Sequence, residues 1–319
     1  MESCVPSEYT TTMFGRRDGR RGDQLRRMEA ELGCVEGADG SCRVCLGDTC
    51  ADVLVQGPLE WAAGGGEGAA ASRNRLGRGT ERGVGHGRRQ PRLGRVECVW
   101  VGGGGGGGDD DDADGGPEGG DGGIQEHRAA AASVIERIFS AQIIREAFPH
   151  CTVLIVVHEW MDDGGALAAA IIGTSLALMQ AAVPLRSALT AFCIGVPRYR
   201  DANPDTASRE NGKGRGADTS PYWADPTRAE ASTMCSALAT VALDGHGRVA
   251  YAEVSRVAYD QGEHDRGAAK APVMPTETGG AWAVDLLLAA QGAAPALHQF
   301  MRQVSEQYME TSLANAARS

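Results

Sequence analysis

Residues 151–196 read CTVLIVVHEWMDDGGALAAAIIGTSLALMQAAVPLRSALTAFCIGV. A β-branched apolar run opens the stretch and predicts a strand. The bend Asp162-Asp163-Gly164-Gly165 follows, then a helix of small apolar residues, a second helix started by Pro184, and another strand. A strand that feeds a glycine-rich bend at a helix N-terminus is a natural anion site, because open backbone N–H groups and the helix dipole converge there. A phosphate-handling bend also wants a hydroxyl and a cation. Here those places hold Ala166 and Leu167.

Outward from this core the chain has 319 residues, and its 45 glycines are concentrated, so the ordered part is shorter than the whole. A net charge of −11 argues against a protein that coats nucleic acid without specificity. No apolar run reaches the roughly 18 residues of a membrane span, and no signal-peptide pattern opens the chain. Nine cysteines, several in apolar contexts (Cys151, Cys193, Cys235), favour a reduced compartment. Cys42, Cys45 and Cys50 raise the question of zinc. Cys42 and Cys45 point to opposite faces of a strand, however, and no second ligand pair follows, so they read as small buried hydrophobes with no metal or cofactor.

Residues 1–15 form a polar tail. Residues 40–58 predict a hairpin turning at Gly47-Asp48-Thr49 and closed by Gly57-Pro58. Residues 63–95 carry eight arginines (Arg73, Arg75, Arg78, Arg82, Arg88, Arg89, Arg92, Arg95) against Glu67 and Glu81. A short strand at 96–101 precedes the Gly/Asp tract. Four low-complexity insertions, at about 63–95, 102–124, 198–221 and 262–280, thus interrupt one domain spanning 16–319. A helix is predicted over 129–147, where Val134, Ile135, Ile138, Ile143 and Ile144 share one face. Strands at 234–243 and 248–254 pair through Asp244-Gly245. A last helix covers 282–308, with a break near Gly292 to Pro295.

Six segments in order resemble the ribonuclease PH family: RRDGRRGDQLR (16–26), ADGSCRVCLGDTCADVLVQGPLE (38–60), IIREAFPH (143–150), DDGGALAAAIIGTSLALMQAAVPLR (162–186), ADPTRAEAS (224–232) and HQFMRQVSEQY (298–308). Within the family the likeness is to ring subunits of the eukaryotic exosome, of the forty-six type, with the forty-one type also open. The resemblance implies an α+β, ribonuclease PH-like fold of β-α units with sheets packed on helices. It also implies a six-membered ring of related subunits under RNA-binding cap proteins, with single-stranded RNA threading the channel, in nucleus, nucleolus and cytoplasm.

Catalytic members of the family cleave RNA from its 3′ end with inorganic phosphate as nucleophile. The resemblance places Asp163, Gly164 and Gly165 at the phosphate bend, without the hydroxyl and guanidinium that active members carry. Asp225 takes the place of the first family aspartate. The second falls at Ala231, with Glu230 one residue away. Arg128 matches an arginine at the start of the first helix. These correspondences imply a vestigial site with no catalytic residue, hence a non-catalytic ring subunit serving RNA processing and turnover. Two alternatives stand beside it: an active phosphorolytic exoribonuclease, and an unrelated α/β binding protein.

Each residue also has a plainer reading. Asp162 and Asp163 read as helix N-caps, Asp225 before Pro226 as a turn residue, Arg128 as a solvated charge, Arg186 as a surface charge and His158 as a structural histidine. The arginine tract from Arg73 to Arg95, with Arg73, Arg75 and Arg78 foremost, is the leading candidate for contacting RNA, as a flexible electrostatic funnel, and Arg128 is a further RNA-binding candidate.

Overall fold

The computed structural model describes residues 16, 18–60, 93–102, 121–197, 222–256 and 281–317. The tail and most of the four insertions, with Arg73, Arg75 and Arg78, lie outside the described residues.

Strands β1 (Met28–Leu32), β2 (Gly40–Leu46), β3 (Thr49–Glu60), β4 (Arg95–Gly102) and β5 (Cys151–Met161) build one five-stranded sheet in the order β1-β2-β3-β5-β4. The β2–β3 hairpin turns at Gly47-Asp48, as the sequence predicts. Its second strand does not stop at Gly57-Pro58. It passes through an irregularity there and pairs Leu59 and Glu60 with Thr152 and Cys151. β4 is parallel to β5 and forms an edge. Strands β6 (Leu189–Pro197), β7 (Trp223–Ala224), β8 (Cys235–Asp244) and β9 (Val249–Arg256) make a second, antiparallel sheet ordered β7-β6-β8-β9.

Helix α2 (Ala166–Gln180) is wedged between the sheets, and every residue from Ala168 to Leu178 is buried. Apolar character all round its circumference is what a helix with neighbours on both sides requires. Gly173 sets the approach to the first sheet, since a Cβ there would meet Val53 Cγ2 at 2.8 Å. Helix α1 (Asp121–Gln142) covers β4 on the same face, placing Ile135, Ile138 and Phe139 beside Val96 and Trp100. The far side of the second sheet is covered by α4 (Ala281–Ala316) through Leu286, Ala290, Ala294 and Leu297, which meet Phe192, Ile194, Val241 and Leu243. β6 therefore has helices on both faces, which explains its unbroken apolar run.

Several elements differ from expectation. Helix α1 starts earlier than 129 and ends at Gln142, where Ile143 leaves it to bridge Leu185. No helix begins at Pro184. The segment after α2 runs extended, with Ile144 N–H donating to the Pro184 carbonyl and Arg186 N–H to that of Gln142, because it must cross from one layer to the next in few residues. Helix α4 is continuous through Pro295. The missing N–H costs one helical hydrogen bond, while the apolar seam on either side, Ala290 and Ala294 before it and Leu297 and Met301 after it, holds both halves in place. A short helix α3 (Arg228–Met234) stands between Thr227 and β8, where the sequence reading passes straight to a strand. Finally, Cys45 and Cys50 are joined in a disulfide rather than packed as thiols, because the hairpin register sets them opposite one another with Cα atoms 4.2 Å apart. Cys42 stays buried on the core face, and burial pushes its thiol pKa up.

Candidate functional site

The bend between β5 and α2 is held from both sides. Thr49, at the start of β3, accepts from Asp163 N–H at 2.9 Å and donates to the Gly164 carbonyl at 2.8 Å. Gly164 (φ 97°) and Gly165 (φ 81°) both lie in the left-handed region. Gly164 has a second reason to lack a side chain, since a Cβ would sit 2.9 Å from the Pro226 carbonyl oxygen. Neither aspartate caps α2. Gly165 occupies the N-cap, Asp162 accepts from Gly164 N–H, and Asp163 faces Arg26.

Arg26 dominates the site. Its Nε donates to Asp225 Oδ2 at 2.8 Å and its Nη2 to Asp225 Oδ1 at 2.6 Å, a bidentate fork. The same guanidinium donates to the carbonyls of Asp163 (3.0 Å) and Gly164 (2.6 Å). Both side chains are almost wholly shielded, at 6% and 4% exposed. Burial alone would push the Arg26 pKa down. The hydrogen bond and charge of Asp225 outweigh it, so the cation is firmly held. Asp225 itself is in the left-handed region at φ 50° and gives its backbone N–H to Cys193, so strand β6 fixes its position. Burial first, and the Asp225 charge second, push the Cys193 thiol up to about 12, so it stays protonated at neutral pH.

A second buried pair lies alongside. Arg16 forks onto Glu230 at 3.1 and 2.9 Å and donates to the carbonyls of Ala224 and Asp225. Glu230 also closes a capping box with Thr227 at the start of α3. The residue that a one-place shift would offer as a second catalytic carboxylate is thus engaged twice. Ala231, at the unshifted place, carries no acid. Ala166 and Leu167 pack against the apolar core and offer no polar group to an anion.

Arg128 sits elsewhere on the same end of the first sheet. It is paired with Glu159 at 3.5 Å, is 17% exposed and lies over Gly102, so it is not a solvated charge. The Trp100 indole donates to the same Glu159. Arg186 is an exposed partner of Glu146, in keeping with its reading as a surface charge. His158 is half-buried on β5, edge-on to Trp160 at 4.6 Å. Among the described residues no cluster of three or more His, Cys, Asp or Glu side chains is gathered to hold a metal ion.

Sequence reasoning missed Arg16, Arg26 and Thr49. The capping-box spacing of Thr227 and Glu230 was a usable sign of α3. Nothing in the spacing identifies Arg26 as the partner of Asp225, because 199 residues separate them.

The element order, the strand–bend–helix unit at 151–180 and the paired acids ahead of β8 can now be set beside known proteins. Residues 115–184 match the 3′ exoribonuclease family, domain 1. The likeness is one of this segment and, as the next comparisons show, of the fold. Among solved structures, that of Rrp46 from rice (Oryza sativa) superposes with a TM-score of 0.57 at 19% identity, covering 90% of this chain and 98% of that one. An archaeal exosome core gives a TM-score of 0.53 at 18% identity, with 90% and 91% covered. In sequence, a putative exosome complex component RRP41 of Caenorhabditis elegans is 26% identical over 195 residues, 60% of this chain and 67% of the relative. The α+β, ribonuclease PH-like fold expected from the sequence is the one observed.

Proposed function

We propose that this ribonuclease PH-like chain is a non-catalytic subunit of the RNA exosome core ring. It serves 3′-to-5′ RNA processing and degradation, rRNA processing and mRNA turnover included, by scaffolding neighbouring ribonuclease PH-like subunits and lining the path of single-stranded RNA beneath the cap proteins. The setting is nucleus, nucleolus and cytoplasm. Its likeness to proteins named as exosome components supports the ring assignment.

One observation carries the non-catalytic half of the reading: Asp225 is closed off by Arg26. Phosphorolysis needs orthophosphate seated beside the scissile bond and a carboxylate able to hold a metal or hand a proton to the leaving oxygen. At this bend the seat has backbone only, with Ala166 and Leu167 in place of hydroxyl and guanidinium. The remaining family carboxylate has both oxygens taken by one guanidinium. Removing preorganised electrostatic groups of this kind typically costs about 10²–10³-fold or more in rate for each one.

The test has two arms. Affinity purification of the tagged full chain should recover related ring subunits and cap proteins in stoichiometric amounts; isolation as a lone monomer refutes the ring assignment. Purified chain given orthophosphate and 3′-labelled RNA should release no nucleoside diphosphate. Release that depends on phosphate and vanishes in Asp225→Ala establishes instead the alternative, an active phosphorolytic exoribonuclease.

A further inference from the structure

At the opposite end of β5 from the bend, about 30 Å away along an 11-residue strand, lies a cleft of about 540 Å³. It is lined by Leu93, Gly94, Arg95, Arg145, His150, Cys151 and Thr152. That volume is in the range of small-ligand sites, and three of the lining side chains are basic. We propose that this cleft binds the phosphodiester backbone of a single-stranded RNA, one or two nucleotides at a time. This rests on the reading above that RNA runs along the chain.

The cleft is built rather than incidental. Gly94 N–H donates to the Arg145 carbonyl at 3.2 Å, tying the start of β4 to the 3₁₀ turn Arg145–Ala147. Gly94 must be glycine, because a Cβ would come within 2.6 Å of the Phe148 ring beneath it. His150 is fixed in the left-handed region, at φ 66°, directly before β5.

The charges are arranged for an outside anion. Among the described residues, neither the Arg145 guanidinium nor the His150 imidazole has a hydrogen-bond or ion-pair partner. The nearest acid in sequence, Glu146, is engaged by Arg186. Arg95 meets Glu97 at 3.1 Å, but both are exposed, and such a pair is weak and yields readily to a phosphate. The Arg145 guanidinium, without an acidic partner among the described residues in a chain of net charge −11, marks a local reversal of field. The lining also offers Leu93, 45% exposed, as an apolar wall against which a sugar or base can rest. A polynucleotide suits this mixture better than free phosphate, which would leave the apolar wall and most of the volume unused.

The experiment is fluorescence anisotropy of the full chain with a labelled single-stranded oligoribonucleotide at several salt concentrations. Arg145→Glu and Arg95→Glu should each weaken binding about tenfold or more, and the salt slope should fall by about 0.7 for each phosphate no longer neutralised. Arg302→Glu, on the exposed face of α4, should change nothing. Orthophosphate at millimolar concentration should compete poorly, whereas unlabelled RNA should compete fully. Wild-type affinity and slope in both cleft variants overturn the proposal, as does the absence of any RNA binding by the chain. Full displacement by orthophosphate makes this a simple anion site and also overturns it. Because ring assembly is read separately by co-purification, a failure here with intact assembly sinks the cleft alone.

Discussion

Replacing Arg26 with alanine strands a carboxylate. Asp225 is 4% exposed and is deprived of the fork that holds both its oxygens, while the carbonyls of Asp163 and Gly164 lose a shared donor. Breaking a buried pair from one side typically costs about 3–5 kcal/mol, because the remaining charge has neither water nor partner. For a domain of this size that corresponds to a fall in Tm of roughly 6–20 °C. An exposed pair gives the contrast. Arg302 and Glu306 lie 2.9 Å apart on α4, at 80% and 59% exposed, and Arg302→Ala should cost well under about 1 kcal/mol. The assay is urea unfolding followed by circular dichroism on wild type, Arg26→Ala, Asp225→Ala and the double variant. The cycle should show strong coupling, with the double variant losing much less than the sum of the two singles. A loss in Arg26→Ala no larger than in Arg302→Ala, or additive single effects, refutes the claim that Arg26 holds Asp225 away from chemistry.

Three further outcomes are expected. Gly173→Ala should destabilise by about 1–3 kcal/mol, read as a lower urea midpoint, since its Cβ would meet Val53 Cγ2 at 2.8 Å where α2 packs on β3. Thr227→Ala should cost about 1 kcal/mol in the same assay through loss of the capping box at α3. Asp52 gives a pH dependence. Burial pushes its carboxyl up, but hydrogen bonds from Arg43 and Trp160 outweigh burial and leave it below the usual range. A depressed folded pKa contributes stability that is fully present above the unfolded value near about 3.9 and is lost as pH falls through the folded one. The stability gap between wild type and Asp52→Asn, followed by thermal unfolding, should therefore be constant above about pH 5 and narrow below about pH 4.

Much of this protein was legible without coordinates. The unit at 151–180 declares itself because its strand is β-branched, its bend is acidic and glycine-rich, and its helix is apolar all round; these are local signals, and they fix local structure. The hairpin at Gly47-Asp48 and the β8–β9 turn at Asp244-Gly245 were legible for the same reason. The Pro184 segment was not, because a proline suits a helix start and an extended crossing equally, and the distance to be bridged chooses between them. The continuity of α4 through Pro295 likewise depends on a sheet that the helix sequence does not mention.

What the sequence by itself determined is the strand–bend–helix unit at 151–180, the two hairpins, and a bend whose next residues, Ala166 and Leu167, carry neither hydroxyl nor guanidinium. Only the tertiary structure decided the fate of the charges. Arg16 and Arg26 belong to a basic segment, RRDGRRGDQLR, that names no partner for either, yet both are buried against acids 214 and 199 residues later. Opposite charges recognise one another by distance and dielectric in three dimensions, and neither quantity is written into the spacing of residues along a chain.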